Sequence, residues 1–185
     1  MNVLASREQL RASLLRWALV CVPGVMLLGY ISGQLGGSTS ESAWFAALDK
    51  PAIFPPPATF GIVWTVLYAM IGFALALVCA AWGARERGIA IALFAIQLAL
   101  NLAWTPLFFG AHEMQAALIL LIVLDVAVIA TTIQFWRVRK VAGLLMVPYL
   151  AWILFATVLN YQFLAMNPNL DGVDAPGAVV ERVRI

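Results

Sequence analysis

Charge is what this chain has least of. Asp, Glu, Lys and Arg make up 11% of its 185 residues, against about 25% in soluble domains. That scarcity excludes a water-solvated surface over most of the length. There is one histidine, His112, and a single imidazole cannot build a metal site. The two cysteines, Cys21 and Cys79, fall in apolar stretches. They read as small buried hydrophobes, and no disulfide framework follows from them. The apolar stretches hold no paired carboxylates and no Ser–His–Asp set, and the chain has no Gly-rich phosphate loop. Motifs therefore give no support to hydrolytic or redox catalysis, and no catalytic residue is assigned. A net charge of +2 is too small to suggest a nucleic-acid partner. Internal repeats and low-complexity tracts are also missing.

Apolar residues fill the space that charge leaves: 64% of the chain, with a mean hydropathy of +0.95. They gather in five runs, 15–35, 59–82, 88–109, 113–136 and 141–164. A helix crossing a hydrocarbon layer of about 30 Å needs about 20 such residues. A soluble helix would keep a polar stripe, and the third and fourth runs carry almost none. The expected fold is all-α: a polytopic bundle of five transmembrane helices in one domain, residues 17–166. A basic segment, 1–16, precedes it. A tail, 167–185, carries Pro168, Pro176 and alternating charges and is expected to be disordered. The first run is expected to be a retained helix, because no small-residue cleavage site closes it and Glu8 interrupts a mitochondrial-type presequence.

Five spans place the termini on opposite sides. Arg7, Arg11, Arg16, Arg85, Arg87, Arg137, Arg139 and Lys140 fall on one side; Lys50, Arg182 and Arg184 fall on the other. Eight against three puts the N-terminus in the cytoplasm by the positive-inside rule. The rule suits a bacterial cell membrane; the mitochondrial outer membrane is the alternative. The longest connector, 36–58, ends on Pro55-Pro56-Pro57, a stiff approach to the second span. It holds Trp44, Phe45, Ile53 and Phe54, which are too apolar to sit freely in water. The favoured expectation is a lid over one end of the bundle. An interfacial belt of aromatics is the plainer one.

Polar groups at membrane depth are costly unless they meet partners, so they point inward. In the third span Gln97, Asn101, Trp104 and Phe108 share a helix face. Pro106 removes a backbone bond near its end. The opposite face carries Ala95, Ala99 and Ala103, a small-residue spacing that suits a dimer contact, or a contact with other membrane proteins that would make the chain a regulatory partner, although alanine is common in such helices. In the fifth span Tyr149, Trp152, Ala156 and Asn160 form a second stripe, flanked by Phe155. In the second, Phe60, Trp64 and Tyr68 form a third. Three stripes of rings with a few amides match a small-molecule pocket, and also match helices packed on each other as core. Asp125 is the one carboxylate inside a span. Function and interhelical hydrogen bonding both account for it. Gly29, Gly33 and Gly37 continue a small-residue line at the end of the first span, most simply for packing.

These residues also resemble a known family. Lys50-Pro51 before Pro55-Pro56, with Trp64-Thr65 and Tyr68, is similar to the first connector and second helix of the tryptophan-rich sensory protein and translocator protein (TspO/MBR) family, which includes the peripheral-type benzodiazepine receptor. Asn101-Leu102-Ala103-Trp104-Thr105-Pro106-Leu107-Phe108-Phe109-Gly110 resembles its third helix. Pro148-Tyr149, Trp152, Phe155-Ala156-Thr157 and Leu159-Asn160-Tyr161 resemble its fifth. The resemblance implies a five-helix bundle, often dimeric, that binds porphyrins and other tetrapyrroles, sterols, or synthetic isoquinoline and benzodiazepine ligands. No required cofactor is implied. Roles proposed for the family are transport, sensing and porphyrin breakdown. The ligand-binding residues expected from stripes and resemblance together are Phe54, Trp64, Tyr68, Gln97, Asn101, Trp104, Phe108, Trp152, Phe155, Ala156 and Asn160. The chain departs from the family at Ala52 and Ile53, where many bacterial members carry aromatics able to stack on a macrocycle. No basic residue follows Tyr161 within five positions, so the family's sterol motif is incomplete.

Overall fold

The computed structural model describes residues 7–36 and 42–173. Helix α1 spans Arg7–Leu35, the short α2 Ala43–Ala47, α3 Pro57–Cys79, α4 Arg87–Thr105, α5 Met114–Val138 and α6 Lys140–Met166. A wide π-helical turn, Pro106–Gly110, extends α4, and a 3-10 turn, Pro168–Leu170, follows α6. Five of these helices are long and apolar enough to cross a membrane, one for each expected run.

The ends differ from expectation for local reasons. Helix α1 begins at Arg7 rather than near 15 because Leu10, Ala12, Leu14 and Leu15 sustain a helix. The described part of the basic segment is thus continuous with the first span. Helix α3 stops at Cys79, shortly before Gly83 turns the chain at a φ of +82°, a conformation glycine adopts without strain. Pro106 keeps no N–H for the helical ladder. The chain widens there, and Ala111 N–H closes the turn on Pro106 O at 2.9 Å.

The helices close into a ring: α1 packs on α3, α3 on α6, α6 on α5, α5 on α4, and α4 returns to α1. The interior is apolar, built around Ile71, Phe94, Leu124, Phe135, Met146 and Tyr149. The outside is apolar too. Leu19, Ile62, Val126 and Val158 all face outward, as lipid-facing positions should. Helix α3 approaches α1 closely at Gly72, where a Cβ would lie 2.9 Å from the Val22 Cα.

The described connector folds back over one end of the ring. Ser42 Oγ accepts from Phe45 N–H at 3.1 Å and starts α2. Trp44, Phe45 and Leu48 are buried against Phe108, Met114, Leu159 and Phe163. Ile53 instead stays 43% exposed, because the turn closed by Phe54 N–H on Pro51 O points it outward. The expected disordered tail also needs correcting at its start. Residues 167–173 are placed, because their polar groups find partners in the bundle. Asn167 accepts from Asp49 N–H at 2.8 Å and returns a bond to Asp49 O at 3.0 Å. Leu170 O accepts from Trp44 Nε1 at 3.0 Å. The rest of the tail, residues 1–6 and Gly37 lie outside the described residues.

Candidate functional site

A cavity of about 440 Å³ lies beneath the connector, between α1, α3, the π-helical turn and α6. The stripe on α3 supplies Phe60, Trp64 and Tyr68. The end of α4 and the turn supply Trp104, Thr105, Phe108 and Phe109. Helix α6 supplies Trp152, Ala156, Leu159, Asn160 and Phe163, and the connector closes the space with Phe45 and Phe54. Trp64 stacks on Tyr68 (ring centroids 5.1 Å apart) and Trp104 on Phe108 (5.2 Å). Phe54 bridges Phe60 and Phe163 at 5.5 and 5.6 Å.

The polar groups of the wall hold one another in place. Tyr68 Oη donates to Asn101 Oδ1 at 2.8 Å. Trp104 Nε1 donates to Asn160 Oδ1 at 3.1 Å, and Asn160 Nδ2 donates to Met114 O at 2.9 Å. Such pairs are well suited to a dry interior. None of the described residues lining the cavity is charged. The indole N–H groups of Trp64 and Trp152 have no hydrogen-bond acceptor among the described residues. The site is therefore a volume of ring faces with spare N–H donors, held by bonds that orient its side chains.

Of the residues singled out in the sequence, Phe54, Trp64, Tyr68, Trp104, Phe108, Trp152, Ala156 and Asn160 meet at this cavity. Gln97, Asn101 and Phe155 do not line it. Asn101 stands behind Tyr68 as its acceptor. Gln97 is fully buried, with Oε1 accepting from Tyr149 Oη at 2.8 Å and Nε2 without a partner among the described residues. Phe155 lies beside the stripe, its ring 5.3 Å from Trp152. Asp125 is also apart from the cavity: Thr157 Oγ1 donates to its Oδ2 at 2.9 Å across α5 and α6, and Oδ1 has no partner among the described residues. Gly29 abuts the Tyr68 ring, as packing requires, whereas Gly33 borders the cavity with open space beside it. Ala95, Ala99 and Ala103 form an exposed face of α4.

Several lining residues escaped the sequence reading. Phe163 continues the α6 stripe at the helical spacing that joins Trp152, Ala156 and Asn160, so periodicity could have found it. Phe45 belongs to the connector, where no periodic signal exists.

The TspO/MBR family profile matches residues 19–166, the bundle and its lid. The tryptophan-rich protein TspO of Chlorobaculum tepidum is 39% identical over 150 residues, covering 80% of this chain and 94% of that protein. The human translocator protein is 42% identical over 120 residues, 64% of this chain and 71% of its own. The tryptophan-rich sensory protein of Cereibacter sphaeroides is 38% identical over 134 residues, 72% of this chain and 83% of its own. The five apolar helices, the family profile and these relatives agree: the chain is an integral, multi-pass membrane protein and belongs to the TspO/MBR family.

Proposed function

We propose that the cavity binds a hydrophobic planar molecule of the tetrapyrrole class, and that the protein acts as a sensor or transporter of it. The observation that carries this reading is the lidded cavity of about 440 Å³ walled by aromatic rings. Its volume falls in the range of small-molecule sites, and ring faces favour a flat π-system. Because the lining is uncharged, a macrocycle's carboxylates would sit at the mouth rather than in the interior. The indole N–H groups of Trp64 and Trp152, which have no acceptor among the described residues, suit acceptor atoms on such a ligand. Sterols and synthetic isoquinoline or benzodiazepine compounds are the competing occupants. Tyr161, the tyrosine of the incomplete sterol motif, is 60% exposed on the outer face of α6, which does not favour a sterol in the cavity.

The test is a titration of the detergent-solubilised protein with protoporphyrin IX, followed by tryptophan quenching, beside an Ala156→Phe variant. The added ring fills the cavity between Trp152 and Asn160. Saturable binding weakened roughly tenfold, about 1.4 kcal/mol, is expected. Equal quenching in both proteins, or none that saturates, overturns the tetrapyrrole reading. An absorbance spectrum that bleaches with time would instead favour porphyrin degradation, the enzyme alternative.

Two further proposals concern the setting. The charge bias supports an N-terminus in the cytoplasm and a lid outside a bacterial cell membrane. The exposed face of Ala95, Ala99 and Ala103 suits a homodimer within the lipid.

A further inference from the structure

The end of the bundle opposite the lid holds a groove of its own. It measures about 160 Å³ and lies where the start of α1, the end of α3 and the α5–α6 turn meet. Leu10, Arg11, Leu14, Leu77, Ala80 and Arg139 line it. Leu77 and Ala80 are buried, Leu14 is half-buried, and Leu10 and both arginines are exposed. The groove thus has an apolar floor and a cationic rim. It shares no residue with the aromatic cavity.

The fold sets both cations in place. Arg11 stands on the second turn of α1, and Arg139 is the single residue between α5 and α6. Arg139 N–H donates to Phe135 O at 2.7 Å and Arg139 O accepts from Gly143 N–H at 3.1 Å, so its backbone is held from both sides. Neither guanidinium has a hydrogen bond or an ion pair among the described residues, although Glu8 lies one turn before Arg11. Glu86, in the α3–α4 connector, is engaged elsewhere: its Oε2 accepts from Gln134 Nε2 at 2.7 Å. Two guanidinium groups on one rim, with no carboxylate between them, form a site for a phosphate-like anion.

Depth decides which anion. Cys79 lies between Leu77 and Ala80 on the floor's helix, and its carbonyl accepts from Arg87 Nε at 3.0 Å. The Arg87 guanidinium lies 4.3 Å from the centre of the Trp82 ring. A tryptophan and an arginine at a span's end mark the membrane–water boundary, the level of the lipid phosphates. A soluble phosphate would leave the apolar floor uncovered, whereas a phospholipid covers it with glycerol and the first acyl carbons.

We propose that this groove binds one anionic phospholipid, its phosphate between Arg11 and Arg139 and its glycerol and upper acyl carbons on Leu10, Leu14, Leu77 and Ala80. Basic pockets between transmembrane helices hold lipid head groups in this way. A zwitterionic lipid fits less well, because its own ammonium group would meet the arginines. Helices α1 and α6 each pack on α3, and the lipid bridges them at this end of the ring.

The full chain, purified in detergent, is titrated with dioleoylphosphatidylglycerol or dioleoylphosphatidylcholine and weighed by native mass spectrometry. The expected result is one phosphatidylglycerol per chain, retained at concentrations where phosphatidylcholine is lost. Its affinity should fall roughly tenfold in Arg11→Gln/Arg139→Gln, and in part in Arg11→Gln alone. Arg16→Gln removes a charge from α1 outside the groove and should retain the lipid as the wild type does. Equal retention of the two lipids by the wild type overturns the proposal. So does a loss in Arg16→Gln as large as in Arg11→Gln, the mark of a diffuse attraction to basic charge. Displacement of the lipid by millimolar inorganic phosphate would also overturn it, in favour of a site for a free anion. The wild-type comparison of the two lipids stands whether or not the glutamine variants fold.

Discussion

Asn160 shows how an amide is made tolerable at membrane depth. Its Oδ1 accepts from the Trp104 indole and its Nδ2 donates to Met114 O, tying α6 to α4 and to the start of α5. Replacing it with leucine leaves an indole N–H and a carbonyl unpaired where water cannot reach. Asn160→Leu is expected to cost about 1–3 kcal/mol, seen as a lower Tm in detergent; an unchanged Tm would show that the bonds add nothing. Gly29 makes the complementary point about space. A Cβ there would overlap the Tyr68 ring, so Gly29→Val should displace Tyr68 from Asn101. Tyrosine fluorescence and a loss of thermal stability would report it. Periodicity made Asn101, Trp104 and Asn160 legible as inward-facing, because a polar group in hydrocarbon has few other places to point. It could not tell that Gln97 and Asn101 serve neighbouring tyrosines rather than the cavity. That distinction depends on which ring of another helix stands in front of each.

The lid and its fastening belong to the scale of elements. The short helix α2 buries Trp44 almost completely, and the Trp44 ring stacks on His112 with centroids 4.5 Å apart. Beyond α6, Asn167 holds Asp49 through two hydrogen bonds. Asp171 Oδ1 accepts from the backbone N–H groups of Met114 and Gln115 at the start of α5. A carboxylate capping a helix N-terminus satisfies groups left open by the helical ladder. Asp171→Ala should therefore lower stability by about 1 kcal/mol, measurable as a shift in Tm. Asn167→Ala should leave the bundle intact while speeding release of a bound ligand, read in stopped-flow quenching. If release is unchanged, the connector does not gate the cavity. The lid's aromatic content was visible in the chain. Its fastening was not, because the partners of Asn167 and Asp171 lie 118 and 57 residues away and no local pattern links them.

For the whole molecule, the ring of helices sets how the cavity, the lipid-facing surface and the alanine face relate. A ligand bound only by the folded bundle stabilises it by mass action, about 2.7 kcal/mol at a hundredfold excess over Kd. A Tm that rises with protoporphyrin in the wild type and fails to rise in Ala156→Phe would tie that gain to the cavity. Assembly is separable from recognition, because Ala99 lies on the exposed side of α4 and Trp104 on the cavity side. With Ala99→Leu the proposed dimer should shift to monomer in analytical ultracentrifugation without a change in ligand affinity. If both change together, the two faces are coupled through α4.

Composition and periodicity alone determined that this chain lives in a bilayer as five helices. The reason is energetic: runs of this length and apolarity have no stable place in water, and buried amides must face inward. Tertiary structure decided which inward-facing groups surround empty space and which only hold others. It also closed the connector over the cavity through distant partners. Those outcomes depend on how helices rotate and pack against one another, and on polar groups meeting across the fold, which no single stretch of sequence encodes.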